Sequence, residues 1–310
     1  MAKIATREAY GKTLVELAEK DDHLFVLDAD LSGSTKSGMM KKVAPHQHFN
    51  MGIAESNMMA VAAGMAASGN TVFASSFAMF ATGRAYEQIR NSIAYPKLNV
   101  KICASHAGIT VGEDGASHQT VEDISLMRGI PNMLVVCPAD ANAASEAVKA
   151  VYKKEGPCYV RLGRSGVDEV YTEGAVPFTL GKGNVLHKGE KVAIIACGMM
   201  VQEALLAKEQ LQKEGINPTI VDMHTIKPID EELLVSLAQT HTLFVTCEEH
   251  SIIGGLGSAV AEVLVQKAPR KQVMVGIRDL FGESGTPAEL LSKYGLTAQH
   301  IVEAVKKNVE

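Results

Sequence analysis

Short apolar runs and helical patterns take turns along almost the whole chain, and this alternation constrains the fold more than any other feature. In the first half, "HLFVLDAD", "NTVFASS", "NVKICAS", "NMLVVCPAD" and "CYVRLG" read as buried strands. Between them, "TREAYGKTLVELAEK", "ESNMMAVAAGMAAS", "GRAYEQIRNSIAY" and "ANAASEAVKAVYKKEG" carry helical spacing. A looser stretch, "SGVDEVYTEGAVPFTLGKGN", follows. The alternation then restarts with "VAIIACG", "QEALLAKEQLQKEG", "PTIVDMHTI", "DEELLVSLAQTH", "TLFVTCEE", "GSAVAEVLVQ" and "VMVGIRD". Continuous apolar strands separated by helices pair in parallel and are covered on both faces. The sequence therefore predicts an α/β protein of two open, mostly parallel sheet domains covered by helices. The boundary is expected within 175–188, giving one domain over 1–178 and a second over 188–310.

Composition narrows the function. A chain of 310 residues is long enough for two domains, and its net charge of −5 with no basic stripe gives no reason to expect nucleic acid. The five cysteines, at 103, 137, 158, 197 and 247, are scattered and odd in number, which suits a reducing compartment better than a disulfide framework or a zinc site. "MAKIATREAYGK" has no apolar signal core, and the greasy stretch after Met51 is broken by Glu55, Ser56, Asn57, Gly64 and Gly69. A cytoplasmic protein with no membrane span is expected. "HQH" at 46–48 and "CEEH" at 247–250 have weak metal spacing, so no metal site is assigned. "GGLG" at 254–257 reads as a tight turn before a helix.

One carboxylate stands out. From Phe49 to Gly83 the only formal charge is Glu55, at the start of an otherwise apolar helix. It suits a helix dipole if it faces water. It suits acid–base work if it faces a dry cleft, because a buried lone carboxylate is costly without a partner or a proton. Ligands of open α/β sheets bind beyond the carboxyl ends of the strands. "DADLSGS", "SSFAMF" and "SHAGITVGEDGASHQ" each follow a strand, and neighbouring strands would gather them on one rim beside Glu55.

The segment "SHAGITVGEDGASHQTVEDISLMR", at 105–128, resembles the substrate loop of transketolases. "FNMGIAESNM" before it and "RGIPNMLVVCPAD" after it extend the likeness, which continues through "EEHSIIGGLGSAVAEVL" and "SGTPAELLSKYGLTAQHIVEAV". The likeness matches the C-terminal half of an ordinary transketolase. The family's Gly-Asp-Gly run with a downstream Asn, which binds the diphosphate's divalent metal, has no counterpart here. The resemblance therefore implies the C-terminal subunit of a split transketolase, made of a pyrimidine-binding domain and a C-terminal domain. It implies thiamine diphosphate shared with a separate N-terminal transketolase subunit, Mg²⁺ or Ca²⁺ held by that subunit, an α2β2 assembly and sugar-phosphate substrates.

The resemblance also assigns roles. Glu55 matches the carboxyl group that bonds pyrimidine N1′ and favours the tautomer able to take the C2 proton, which gives its apolar surroundings a reason. Phe77 and Phe80, otherwise ordinary core residues, match aromatics that pack on the pyrimidine ring. Asp30 is placed near the thiazolium. A third family aromatic is Gly83 here, with Tyr86 as a possible replacement. His106 and His118 match groups that contact the reacting carbonyl and hydroxyls, and Asp114 one that recognises the C2 hydroxyl. Arg7, Ser34 and Arg164 match the sugar-phosphate site, with Arg161 as a neighbour of Arg164. The rivals are the C-terminal part of a 1-deoxyxylulose-5-phosphate synthase-like enzyme, a 2-oxoacid dehydrogenase β subunit, and a non-catalytic partner that merely keeps the fold.

Overall fold

A computed structural model describes residues 3–309. Its strands in chain order are β1 (Ile4–Ala5), β2 (Leu24–Asp28), β3 (His48–Asn50), β4 (Thr71–Ser75), β5 (Val100–Ala104), β6 (Leu134–Val136), β7 (Cys158–Arg161), β8 (Gly166–Val167), β9 (Asn184–His187), β10 (Lys191–Ala196), β11 (Thr219–Asp222), β12 (Thr225–Lys227), β13 (His241–Ser251) and β14 (Lys271–Ile277). The first large sheet has seven strands in the order β12-β6-β7-β5-β4-β2-β3, and the second has five in the order β14-β13-β10-β11-β9. Within the first, β2 to β7 all pair in parallel, and only β12 is antiparallel. The second is parallel except for its edge strand β9. This is the mixed, mostly parallel α/β architecture that the alternation predicts.

The sheets do not divide the chain at one point. The run "PTIVDMHTI" holds two strands, not one: β11 stays in the second sheet, while β12 crosses to pair with β6 of the first. Strand β9 belongs to the second sheet although it precedes residue 188. One apolar cluster bridges both sheets, running from Met58 and Ile102 through Cys137 to Ile195 and Phe244. Burying side chains of this size contributes about 1.5–3 kcal/mol each, so the junction is part of the core.

Helices Thr6–Ala18, Glu55–Ala67 and Ala141–Lys153 lie where the periodicity puts them. "GRAYEQIRNSIAY" departs from a regular helix. Wide i→i+5 turns at Met79–Arg84 and Ile89–Ala94 flank one α-turn at Tyr86–Gln88. Such widened turns recur at functional sites, and periodicity alone does not reveal them. Two further helices, Pro287–Lys293 and Ala298–Asn308, close the C-terminal end.

Candidate active site

Strands β7, β5, β4 and β2 are neighbours, so their carboxyl ends present Gly163–Arg164, Ser105–His106, Ser76–Phe77 and Asp28–Asp30 on one rim. The helix Glu55–Ala67 begins at the same rim. Its first residue, Glu55, is 3% exposed, so it does not face water. Its two carboxylate oxygens accept from Arg84 Nη1 at 3.3 and 3.4 Å. The Arg84 guanidinium, half exposed, also lies over the Phe80 ring with its Cζ 4.2 Å from the centroid. A flat, cationic N–H group thus sits between an aromatic face and a buried carboxylate. Arg84 has no part in the sequence reading above. The signal that finds it is simple: it is the next charge after Glu55 and follows Phe77 and Phe80 in "FAMFATGR".

Phe80 stacks on Phe77 with centroids 5.8 Å apart, and Phe77 stacks on the His106 ring at 3.7 Å. His118 meets both phenylalanines edge-on, at 5.2 Å from Phe80 and 6.3 Å from Phe77. His106 has a φ of +60°, the left-handed region that a residue with a Cβ adopts at a cost. Its Nε2 lies 3.3 Å from Arg7 Nη1, and its Nδ1 lies 2.8 Å from Ser105 Oγ. Arginine only donates, so Nε2 is the acceptor and the ring proton sits on Nδ1, facing Ser105. Burial, reinforced by Arg7, Arg164 and His118, pushes the His106 imidazole down to about 3. It therefore stays neutral near pH 7. In this state His106 is a fixed hydrogen-bonding group, with Nε2 accepting and Nδ1 donating.

Arg7 lies in the first turn of the helix Thr6–Ala18 and donates to the Ser34 carbonyl at 2.7 Å. Ser34 thus meets Arg7 through its backbone, not its hydroxyl. Thr6 Oγ1 accepts from Gly163 N at 2.8 Å, which draws Arg7 toward the Arg164 loop. Arg7 Nε is buried without a partner, and burial with Arg164 nearby pulls the guanidinium below its ordinary range. Two arginines approaching a neutral histidine form a locally electropositive pocket. Arg164 itself donates to Val111 O at 2.6 Å and pairs with Glu113 at 3.1 Å. The neighbouring Asp114 is exposed at the loop tip. Asp30, at φ +62°, exchanges hydrogen bonds with Asn50 at 3.1 and 2.8 Å.

Two side chains lie elsewhere. Arg161 is a buried structural cation: it pairs with Asp123 at 2.8 Å and donates to Glu249 O at 2.9 Å, so it is not a site neighbour of Arg164. Tyr86 packs against the apolar cluster and does not complete the aromatic pair. At Gly83 an added Cβ would meet Met79 Cε at 2.6 Å, so no aromatic fits there without displacing Met79. The "CEEH" side chains tie backbone together: Glu248 accepts from Leu256 N and Gly257 N, and His250 Nε2 accepts from Ile124 N. Among the described residues, no cluster of three metal-ligating side chains is present, and no helix is long and apolar enough to cross a membrane.

Comparison with known proteins places this geometry. Residues 2–169 match the transketolase pyrimidine binding domain, and residues 181–301 match the transketolase C-terminal domain. The chain is 51% identical over 306 residues to a putative transketolase C-terminal section of Methanocaldococcus jannaschii, covering 98% of this chain and 96% of that protein. It is 42% identical over 304 residues to a 6-deoxy-6-sulfo-D-fructose transketolase subunit of a Clostridium species, covering 98% and 94%. A solved structure described as a split gene transketolase, inactive β4 tetramer, superposes with a TM-score of 0.92 at 56% identity, covering 98% of each chain. The rim of Glu55, Phe77, Phe80 and the two histidines lies within the first of these domains, and the chain belongs to the transketolase family as the C-terminal section of a split enzyme.

Proposed function

We propose that this chain is the pyrimidine-side subunit of a thiamine-diphosphate-dependent transketolase. The enzyme moves a two-carbon ketol unit from a ketose phosphate to an aldose phosphate. A separate N-terminal subunit holds the diphosphate and its Mg²⁺ or Ca²⁺, in an α2β2 assembly in the cytoplasm, and the domains here divide between 178 and 188. One observation carries the reading: a buried carboxylate and an aromatic face already grip a flat N–H group, in direct continuity with His106, His118 and two arginines. The Arg84 guanidinium shows that a planar nitrogen donor fits between Phe80 and Glu55. When bound, the cofactor supplies the nucleophilic carbon that carbon–carbon cleavage beside a ketose carbonyl requires.

This chain's own residues do the rest. Glu55 holds the proton shared with pyrimidine N1′, and Phe77 and Phe80 supply the apolar floor that excludes water. His106, neutral, and His118 bond the sugar's oxygens, with Asp114 at the C2 hydroxyl and Asp30 near the thiazolium. Arg7 and Arg164, with Ser34, hold the sugar phosphate, for which the unpartnered Arg7 Nε is a ready donor. The donor set thus fits the cofactor and substrate that the family implies. The relative's description as an inactive β4 tetramer supports a partner requirement.

The test is reconstitution. The purified chain with thiamine diphosphate and Mg²⁺ should transfer no ketol unit, and adding the N-terminal transketolase subunit should restore transfer. Turnover by the chain alone removes the split-subunit reading. No transfer with the partner present leaves the non-catalytic reading.

A further inference from the structure

The loop between His106 and His118 is shaped from outside, by the C-terminal part of the chain. At Gly108 (φ +82°) an added Cβ would lie 2.2 Å from Glu249 Cδ, and at Gly115 (φ +75°) one would lie 2.6 Å from Ser284 Oγ. These glycines admit a neighbouring domain; no phosphate needs to be invoked. Glu249, at the carboxyl end of β13, accepts from Thr110 N at 2.7 Å through Oε1. Gln119 Nε2 donates across the same junction to Glu283 O at 2.9 Å, and also to Ile109 O at 3.0 Å. Ser251 N donates to Val121 O at 2.7 Å.

Glu249 is an expensive way to fill this position. Its side chain is buried and makes no ion pair among the described residues; Arg161 bonds only its backbone carbonyl. Burial raises its carboxyl, offset by Arg161 and by the Thr110 amide. A buried acid spent on one loop amide makes sense if that amide must be held in place. Thr110 is four residues from His106, whose left-handed backbone persists only where its surroundings over-determine it.

We infer that Glu249 is a positioning residue for the sugar-binding loop, fixing the backbone at 108–110 and with it His106, while Gln119 on Glu283 fixes His118. The C-terminal domain is then the mould in which the substrate loop is cast. This rests on reading His106 and His118 as sugar-binding groups.

The test compares the full chain with Glu249→Ala, Glu249→Gln and Gly282→Ala. The last lies in a partly exposed segment, where its new Cβ would fall 1.8 Å from Gln119 Oε1. In amide hydrogen exchange of the chain alone, Glu249→Ala and Gly282→Ala should speed exchange over 105–121 by about tenfold, with the helix Met200–Lys213 unchanged. Glu249→Gln, which keeps a carbonyl acceptor, should stay near wild type. With the N-terminal subunit added, Glu249→Ala should lower kcat/KM for the ketose phosphate by on the order of 10- to 10²-fold. Cofactor C2 proton exchange should be unchanged. Unchanged loop exchange in Glu249→Ala, or equal losses in the Ala and Gln variants, overturns the inference. If Glu249→Ala does not fold, unchanged loop exchange in Gly282→Ala overturns it. A wild-type complex that transfers no ketol unit sinks the functional reading instead, and the loop exchange still judges the brace.

Discussion

Glu55 and His106 solve opposite electrostatic problems within one aromatic cluster. Glu55 is a buried acid beside a half-exposed cation; His106 is a base kept neutral by burial and by two arginines. In the reconstituted enzyme with saturating thiamine diphosphate, Glu55→Gln should slow C2 hydrogen–deuterium exchange by on the order of 10²- to 10⁴-fold, while assembly persists. Exchange equal to wild type would strip Glu55 of its role. Arg84→Ala leaves the Glu55 carboxylate without its ion-pair partner, and urea unfolding of the chain should show a loss of about 1–2 kcal/mol. A loss near zero would make Arg84 a solvent-facing bystander. His106, folded at about 3 against about 6.5 unfolded, stays uncharged from pH 5 upward. The stability linked to it is lost as pH falls from 6.5 toward 3. Its ring NMR signals should therefore not titrate between pH 5 and 8. Arg164→Ala should weaken phosphorylated sugars by about 1.5–3 kcal/mol, measured against unphosphorylated ones. That Glu55, His106 and His118 gather on one rim was legible, because their segments follow neighbouring strands or open a helix at the same end. Arg84 carried a sequence signal as the next charge after Glu55, but the wide turn at Met79–Arg84 that brings it over Phe80 leaves no periodic mark.

At the scale of elements, the segment leaving the first sheet is tied by buried carboxylates. Asp140 caps the helix Ala141–Lys153 through Ala143 N and also accepts from Val170 N and Tyr171 N, at 2.6 and 2.8 Å. Tyr171 then donates to Asp222 at the end of β11, at 2.7 Å, and Asn184 donates to the same phenol at 2.9 Å. Burial pushes the Asp222 carboxyl up to about 7. A raised carboxyl contributes stability at low pH that is lost as pH rises through its folded value. Asp222→Asn has no such loss. Its stability relative to wild type should climb between pH 4 and 7 by up to about 1.4 kcal/mol per unit, then level off. Denaturation at pH 5 and 8 checks this; a pH-independent difference would show that Asp222 titrates normally. The parallel strands were readable because each is a bounded apolar run. Strand β3 and the split of "PTIVDMHTI" were not, because pairing with a distant edge leaves no periodic mark in so short a segment.

For the whole molecule, the site rim is also an open surface. Phe49 and Ile53, 43% and 76% exposed, stand just before Glu55. If the N-terminal subunit completes the site, amide exchange over 49–56 should slow when it is added, and unchanged exchange would place its contact elsewhere. The two-sheet architecture was legible from alternation, whereas the contact of β13 with the 106–118 loop was not, since it joins Thr110 to Glu249 across the fold. The crossing of β12 carries a consequence for synthesis. When a ribosome has released residues 1–178, six strands of the first sheet are complete, but β6 still has a bare edge. That edge waits for Thr225–Lys227. Nascent chains stalled in this interval would offer a sticky backbone to one another, so a polypeptide ending near 178 should precipitate where the full chain does not.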